Sequence, residues 1–359
     1  MDKEVKSLFD RTFKDSPLFF IEIGRIKART AKCVLPQQFF GEIAANAQPL
    51  LSKLVNDLVA GFCGTKDVYR SMKRMDEWAK ERVRSTVLYK NAKKLDLDVL
   101  PSSVLLNRII SSPEVLFAPD IYFYVYSIEN EKKVRKKLER IKKLEMNVIE
   151  KSERGIYTDK SLQDRIKINE LEGELLGYPE CCVSEFTRLK GEMIEARLSQ
   201  KEEKNIVYPE TKVVLECLRE GLFDIALDCF LHPEKIAGME LPDSFYSHFT
   251  SNFYPCSIHC KKAVEIGKRY EEYLEEPYRT AYKSRLLLNV LFHLVSGFES
   301  YKIIKTKGLD ISTDYRKYVV DYFNKFDSET VKLLEKLNEA LFHSPIELGN
   351  MLILKSIES

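Results

Sequence analysis

A chain of 359 residues that is 44% hydrophobic and 31% charged has enough apolar side chain for the cores of two domains. No run of about 18 apolar residues occurs, which excludes a helical membrane span, and no apolar leader follows Met1-Asp2-Lys3-Glu4, so the cytoplasm is the expected compartment. The net charge of +2 hides a basic stretch up to about residue 155 and an acidic remainder, which suggests two units with different partners, or two halves that attract each other.

In chain order, residues 3–14 read as a short helix. Leu18 to Leu35 begins apolar and then alternates, which predicts a strand pair turning near Gly24 or Arg29. Residues 41–62 and 65–92 have helical spacing, the first ending at Gly61 and Gly64. Pro101 to Ile110 reads as a short helix, and Val115 to Ser127 as one or two strands. Residues 128–153 form a long charged helix whose stripe Val134, Leu138, Ile141, Leu144 and Val148 must pack on something. Gly155 ends it and marks the expected domain boundary. Beyond it the spacing predicts helices over 162–175, 180–200, 209–231, 242–252, 256–275, 279–298, 315–325, 328–342 and 345–357. The expected fold is therefore mainly α: a small α+β domain over 1–155 and an all-helical domain over 156–359.

Two stretches carry the chemistry. Gly177-Tyr178-Pro179-Glu180-Cys181-Cys182 and Tyr254-Pro255-Cys256-Ser257-Ile258-His259-Cys260 each set a proline before paired cysteines. Proline is favoured at the first helical position, so each pair is expected in the first turn of a helix, where the macrodipole favours thiolate. Eight cysteines in a reducing cytosol stay thiols, and close pairs point to metal or catalysis rather than disulfides. Cys181, Cys182, Cys256 and Cys260 are thus the candidate metal ligands. They suit zinc or an iron–sulfur cluster, and the spacing leaves the two undecided. Inert buried thiols, or a redox or nucleophilic role for Cys181 or Cys182, are the alternatives.

Around them, Glu180 stabilises a helix start or acts as a base beside the metal, and Tyr178 and Tyr254 pack as shields of the centre or as ordinary hydrophobic staples. His248 is a substitute ligand if Cys181 or Cys182 faces away, and His259 points off the cysteine face. His293 and His343 read as core or boundary residues, and Cys217 and Cys229 as core. Residues 70–94 and 132–154 are strongly basic, which suits RNA or a protein partner as well as a solvated surface. No glycine-rich phosphate loop, no G-x-G-x-x-G and no nucleophile elbow is present, which weakens nucleotide-dependent readings.

The run from Glu174 to Val183 with Phe186, followed by Tyr254-Pro255-Cys256-Ser257, Cys260 and Ala263, resembles the signature of an archaeal and bacterial domain family of unknown function over residues 160–275. More distantly it is similar to the HmdC group, accessory proteins for the iron–guanylylpyridinol cofactor of methanogen hydrogenase. The resemblance implies that the cysteines act together. The functions left open are a metal- or cluster-binding accessory factor in cofactor assembly or RNA modification, a cysteine-nucleophile or thiol-redox enzyme, and a nucleic-acid-binding protein using the basic half.

Overall fold

A computed structural model of the chain describes residues 1, 3, 6–7, 10, 13–108, 112–199, 208–250, 253–307 and 313–358. Among the described residues lie fifteen α-helices and one three-stranded antiparallel sheet. The protein is mainly α, with its small sheet near the N-terminus. It divides into two compact units, one of Glu22–Ser199 and one of Met1–Ile21 with Gln200–Ser359.

The chain passes between units within helix α1, Pro17–Lys27. This replaces the strand pair expected over 18–35. Leu18, Phe19, Phe20, Ile21 and Ile23 are all buried to 1% exposure or less. An apolar run buried all round carries no period by which helix and strand differ. Pro17 opens the helix, Gly24 lies inside it, and the turn comes at Arg29, where φ is +58°.

The Glu22–Ser199 unit holds the sheet, with β1 (Cys33–Val34) and β2 (Leu97–Leu106) flanking β3 (Phe117–Ser127). Helices α2 (Gly41–Val59), α3 (Thr65–Ser85) and α4 (Val87–Lys94) precede the β2–β3 pair. Helices α5 (Glu131–Lys151), α6 (Asp159–Leu176) and α7 (Glu180–Leu198) follow it. β2 overturns the short helix read from Pro101 onward, whose residues 109–110 lie outside the described set. Nearly every β2 side chain is buried, so the alternation of a half-exposed strand is missing. Pro101, taken as a helix start, sits in a strand with a sheet neighbour on one side only, where proline is tolerated.

The open side of β2 is covered by side chains. Ser103 N–H donates to Asp76 at 2.6 Å, and Lys142 Nζ donates to Ser103 O at 2.9 Å and pairs with Asp76 at 2.7 Å. The N–H groups of Leu105 and Leu106 donate to Glu145 at 3.2 and 3.3 Å, and that of Val99 to Asp98 at 2.8 Å. α5 thus docks on β2 through Lys142 and Glu145, and its stripe Val134, Leu138, Ile141 and Val148 is buried. Its turn into α6 uses Arg154 and Gly155, both at positive φ, and lies inside this unit.

In the other unit α8 (Pro209–Arg219), α9 (Leu222–Leu231), the single turn α10 (Asp243–Tyr246) and α11 (Lys261–Tyr273) lead into α12, Tyr278–Lys307. α13 (Thr313–Phe323), α14 (Ser328–His343) and α15 (Pro345–Glu358) close it. α12 is apolar around much of its girth and contacts α8, α9, α10, α11, α13, α14 and α15. Gly221, at φ +67°, splits the helix expected over 209–231. The helix expected over 242–252 shrinks to α10, and residues 251–252 lie outside the described set. Among the described residues from 160 onward there is no strand, in line with the all-helical expectation.

Candidate metal centre

α6 ends at Gly177, which is left-handed at φ +73°. A Cβ there would stand 3.2 Å from Ala31 Cα and 3.3 Å from Thr30 O, so both conformation and space require glycine. The chain then passes Tyr178 and Pro179 and starts α7 at Glu180. Cys181 and Cys182 occupy its first turn as expected. Their Sγ atoms are 4.0 Å apart, Cys182 is buried and Cys181 is exposed.

The second pair is built differently. Pro255 does not open a helix, which corrects the expectation for residues 256–275. Cys256 precedes a turn in which Cys260 N–H donates to Ser257 O at 3.0 Å, and Cys260 is the cap residue of α11. Glu216 on α8 fixes this turn by accepting from Ile258 N–H at 2.8 Å, and the Ile258 side chain is fully buried. The thiols are therefore held by a pinned loop and a helix start.

α11 is seated tightly. A Cβ on Gly267 would lie 2.3 Å from Tyr246 O, a backbone atom of α10 that cannot swing aside. Gly267→Ala must push α11 away from α10 and should cost about 2 kcal/mol, typical of overpacking. Urea unfolding of the variant measures this, and an unchanged midpoint would show that the two helices are not closely packed.

The ligand-capable sulfurs of Cys181, Cys182, Cys256 and Cys260 all lie within 4.8 Å of one another. None of the four is joined in a disulfide. They could hold a metal ion or an iron–sulfur cluster. Four thiolates around one tetrahedral ion with bonds of about 2.3 Å stand about 3.8 Å apart. A multi-iron cluster distributes its thiolates over two or more irons and so spreads those on different irons further apart.

The remaining sequence candidates fall around this geometry. Glu180 is the exposed first residue of α7. Burial pushes the Tyr178 and Tyr254 phenols above their usual range, and the Tyr254 ring lies 5.6 Å from that of His293. His259 is exposed, 3.5 Å from Glu220. Neither His248 nor His259 belongs to the sulfur group. Cys217 and Cys229 are core thiols raised by burial, Cys229 to about 11.

His248 is a buried core group that the sequence offered as a ligand. Its Nε2 lies 3.8 Å from Cys217 Sγ, its ring 5.1 Å from that of His293, and its buried Nδ1 has no hydrogen-bond partner. Burial lowers His293 to about 4, and burial followed by His293 holds His248 well below its usual value. Both stay neutral when folded, while the unfolded chain takes up protons near pH 6.5. Stability is thus fully present above about pH 6.5 and is lost as the pH falls towards about 4. His293 alone should contribute about 3 kcal/mol to this loss. Urea midpoints compared across that window at equal metal content should flatten in His293→Gln, and identical profiles would remove the histidines as the cause.

The fold and the site define a mainly helical protein with four converging thiols. Residues 127–288 match the model of a family described as "Protein of unknown function (DUF483)". The match spans both cysteine stretches. No curated protein and no solved structure matches the chain.

Proposed function

We propose that Cys181, Cys182, Cys256 and Cys260 bind a single metal ion as thiolates, and that zinc is its natural occupant. The mutual approach of all four sulfurs to within 4.8 Å supports this reading. Four protein thiolates fill a tetrahedral zinc site and leave no open position for substrate or water. Such a centre organises the protein around it instead of activating a nucleophile. The role proposed is therefore a cytoplasmic metal-binding accessory factor, and the likeness to the HmdC group favours cofactor assembly as its setting. In this reading Glu180, Tyr178 and Tyr254 shape the surroundings of the thiolates without binding the ion.

Anaerobic purification followed by elemental analysis and an absorption spectrum tests it. The expected result is one zinc per chain and no visible colour. Iron with acid-labile sulfide and a visible band would replace the single ion by a cluster. A metal-free protein with all four thiols freely titratable would overturn metal binding.

A further inference from the structure

The chain contains one tryptophan, Trp78, and it lies on α3 facing an open pocket of about 460 Å³ between α2 and α3. Ile43, Asn46 and Glu42 line the pocket from α2, and Arg82 joins Trp78 from α3. The Arg82 guanidinium sits over the indole, 5.7 Å from the ring centroid. Arg74 and Arg82 stand four residues before and after Trp78, so the three form one basic–aromatic–basic stripe along the helix. Beyond the pocket, Leu50 and Val87 are 57% and 69% exposed.

The ring separates this face from the other basic stretch, since α5 carries no aromatic residue. On α5, Arg135, Lys137, Lys142 and Lys151 are engaged by Glu131, Glu174, Asp76 and Asp164, while Lys132, Lys133, Lys136, Arg140 and Lys143 make no ion pair among the described residues. On α3, Arg70 and Lys73 are likewise engaged, by Asp67 and Glu139. Arg74, Lys80, Arg82 and Arg84 make no ion pair among the described residues. An aromatic ring flanked by cations that have no acidic partner matches the chemistry of single-stranded nucleic acid, whose bases stack and whose phosphates need counter-charge. A pocket of this volume admits one base, and Asn46 and Glu42 supply an amide and a carboxylate for its polar edge.

We propose that the α2–α3 pocket is a single-stranded RNA site in which one unpaired base stacks on Trp78 while Arg74 and Arg82 hold the adjoining phosphates. The site is separate in sequence from the four cysteines and requires none of them.

Because Trp78 is the only tryptophan, intrinsic fluorescence of the full-length protein reports this pocket alone. Titration with a single-stranded octaribonucleotide should quench it saturably. Engagement of about three phosphates predicts affinity falling about 20-fold between about 50 and 200 mM salt. Anisotropy of the labelled oligonucleotide should show binding weakened about tenfold by Trp78→Ala, the loss expected for one stacked base. The surface variant Arg82→Gln should weaken binding and shallow the salt slope, and it serves if Trp78→Ala fails to fold. Absence of quenching at low salt, equal binding by Trp78→Ala, or equal quenching by polyglutamate or heparin would overturn the proposal.

Discussion

Replacing Cys182 by serine should abolish stoichiometric metal binding and lower the thermal midpoint by about 10 °C. Cys182 is the buried member of the sulfur group. A serine there offers a weakly acidic hydroxyl where a thiolate is needed, and the burial excludes a replacement water. Structural zinc contributes about 10–16 kcal/mol of apparent binding free energy in small domains. A protein with its own cores loses only part of that, and about 4 kcal/mol corresponds to the fall given for units of this size. A chelator should bring the parent protein down to the level of the variant and leave the variant unmoved. Cys217→Ser, also buried but outside the group, should lose some stability and no metal. Elemental analysis and calorimetry read both quantities, and full zinc content in Cys182→Ser would refute the four-thiolate assignment.

Lys142→Met should destabilise the protein by about 3–5 kcal/mol, the cost of breaking one half of a buried pair. Lys142 is 4% exposed, and it neutralises Asp76 while occupying the carbonyl of Ser103. The methionine leaves Asp76 as a lone buried charge against Ser103 N–H. Removing both charges in Lys142→Met with Asp76→Leu should recover part of the loss, because no isolated ion is then left behind. Urea midpoints of the singles and the double give the coupling directly, and strict additivity would mean that the pair does not act as one unit.

The helices after residue 160 were legible because their apolar residues recur at helical spacing. α1 and β2 were not, because burial on every side erases the period that distinguishes helix from strand. The Cys181–Cys182 pair was legible down to its place in α7, since Pro179 and Glu180 mark a helix start. The Cys256–Cys260 turn was misread, because Pro255 gives the same local cue and the contact that decides otherwise, Ile258 with Glu216, lies 42 residues away in sequence. Asp76 and Glu145 were invisible for the same reason, being 27 and 40 residues from the backbone groups they serve. The stripe of Arg74, Trp78 and Arg82 is present in the sequence as a spacing of four, and only the pocket it forms with α2 distinguishes it from the other basic residues.

The side-chain cover of β2 has a consequence for how the molecule behaves in a crowd. An exposed edge strand invites a strand from another molecule, which needs free N–H groups and carbonyls to pair with. Along this edge Val99 is bonded to Asp98, Pro101 has no N–H, and Ser103 and Leu105 are taken by Asp76 and Glu145. Lys142 occupies the carbonyl of Ser103. Asp76 and Lys142 together present to Ser103 the acceptor and donor that a neighbouring peptide would have offered. The sheet is thereby closed to growth on this side without a fourth strand, and edge-to-edge association, the usual first step of β-aggregation, finds no free donor along this run.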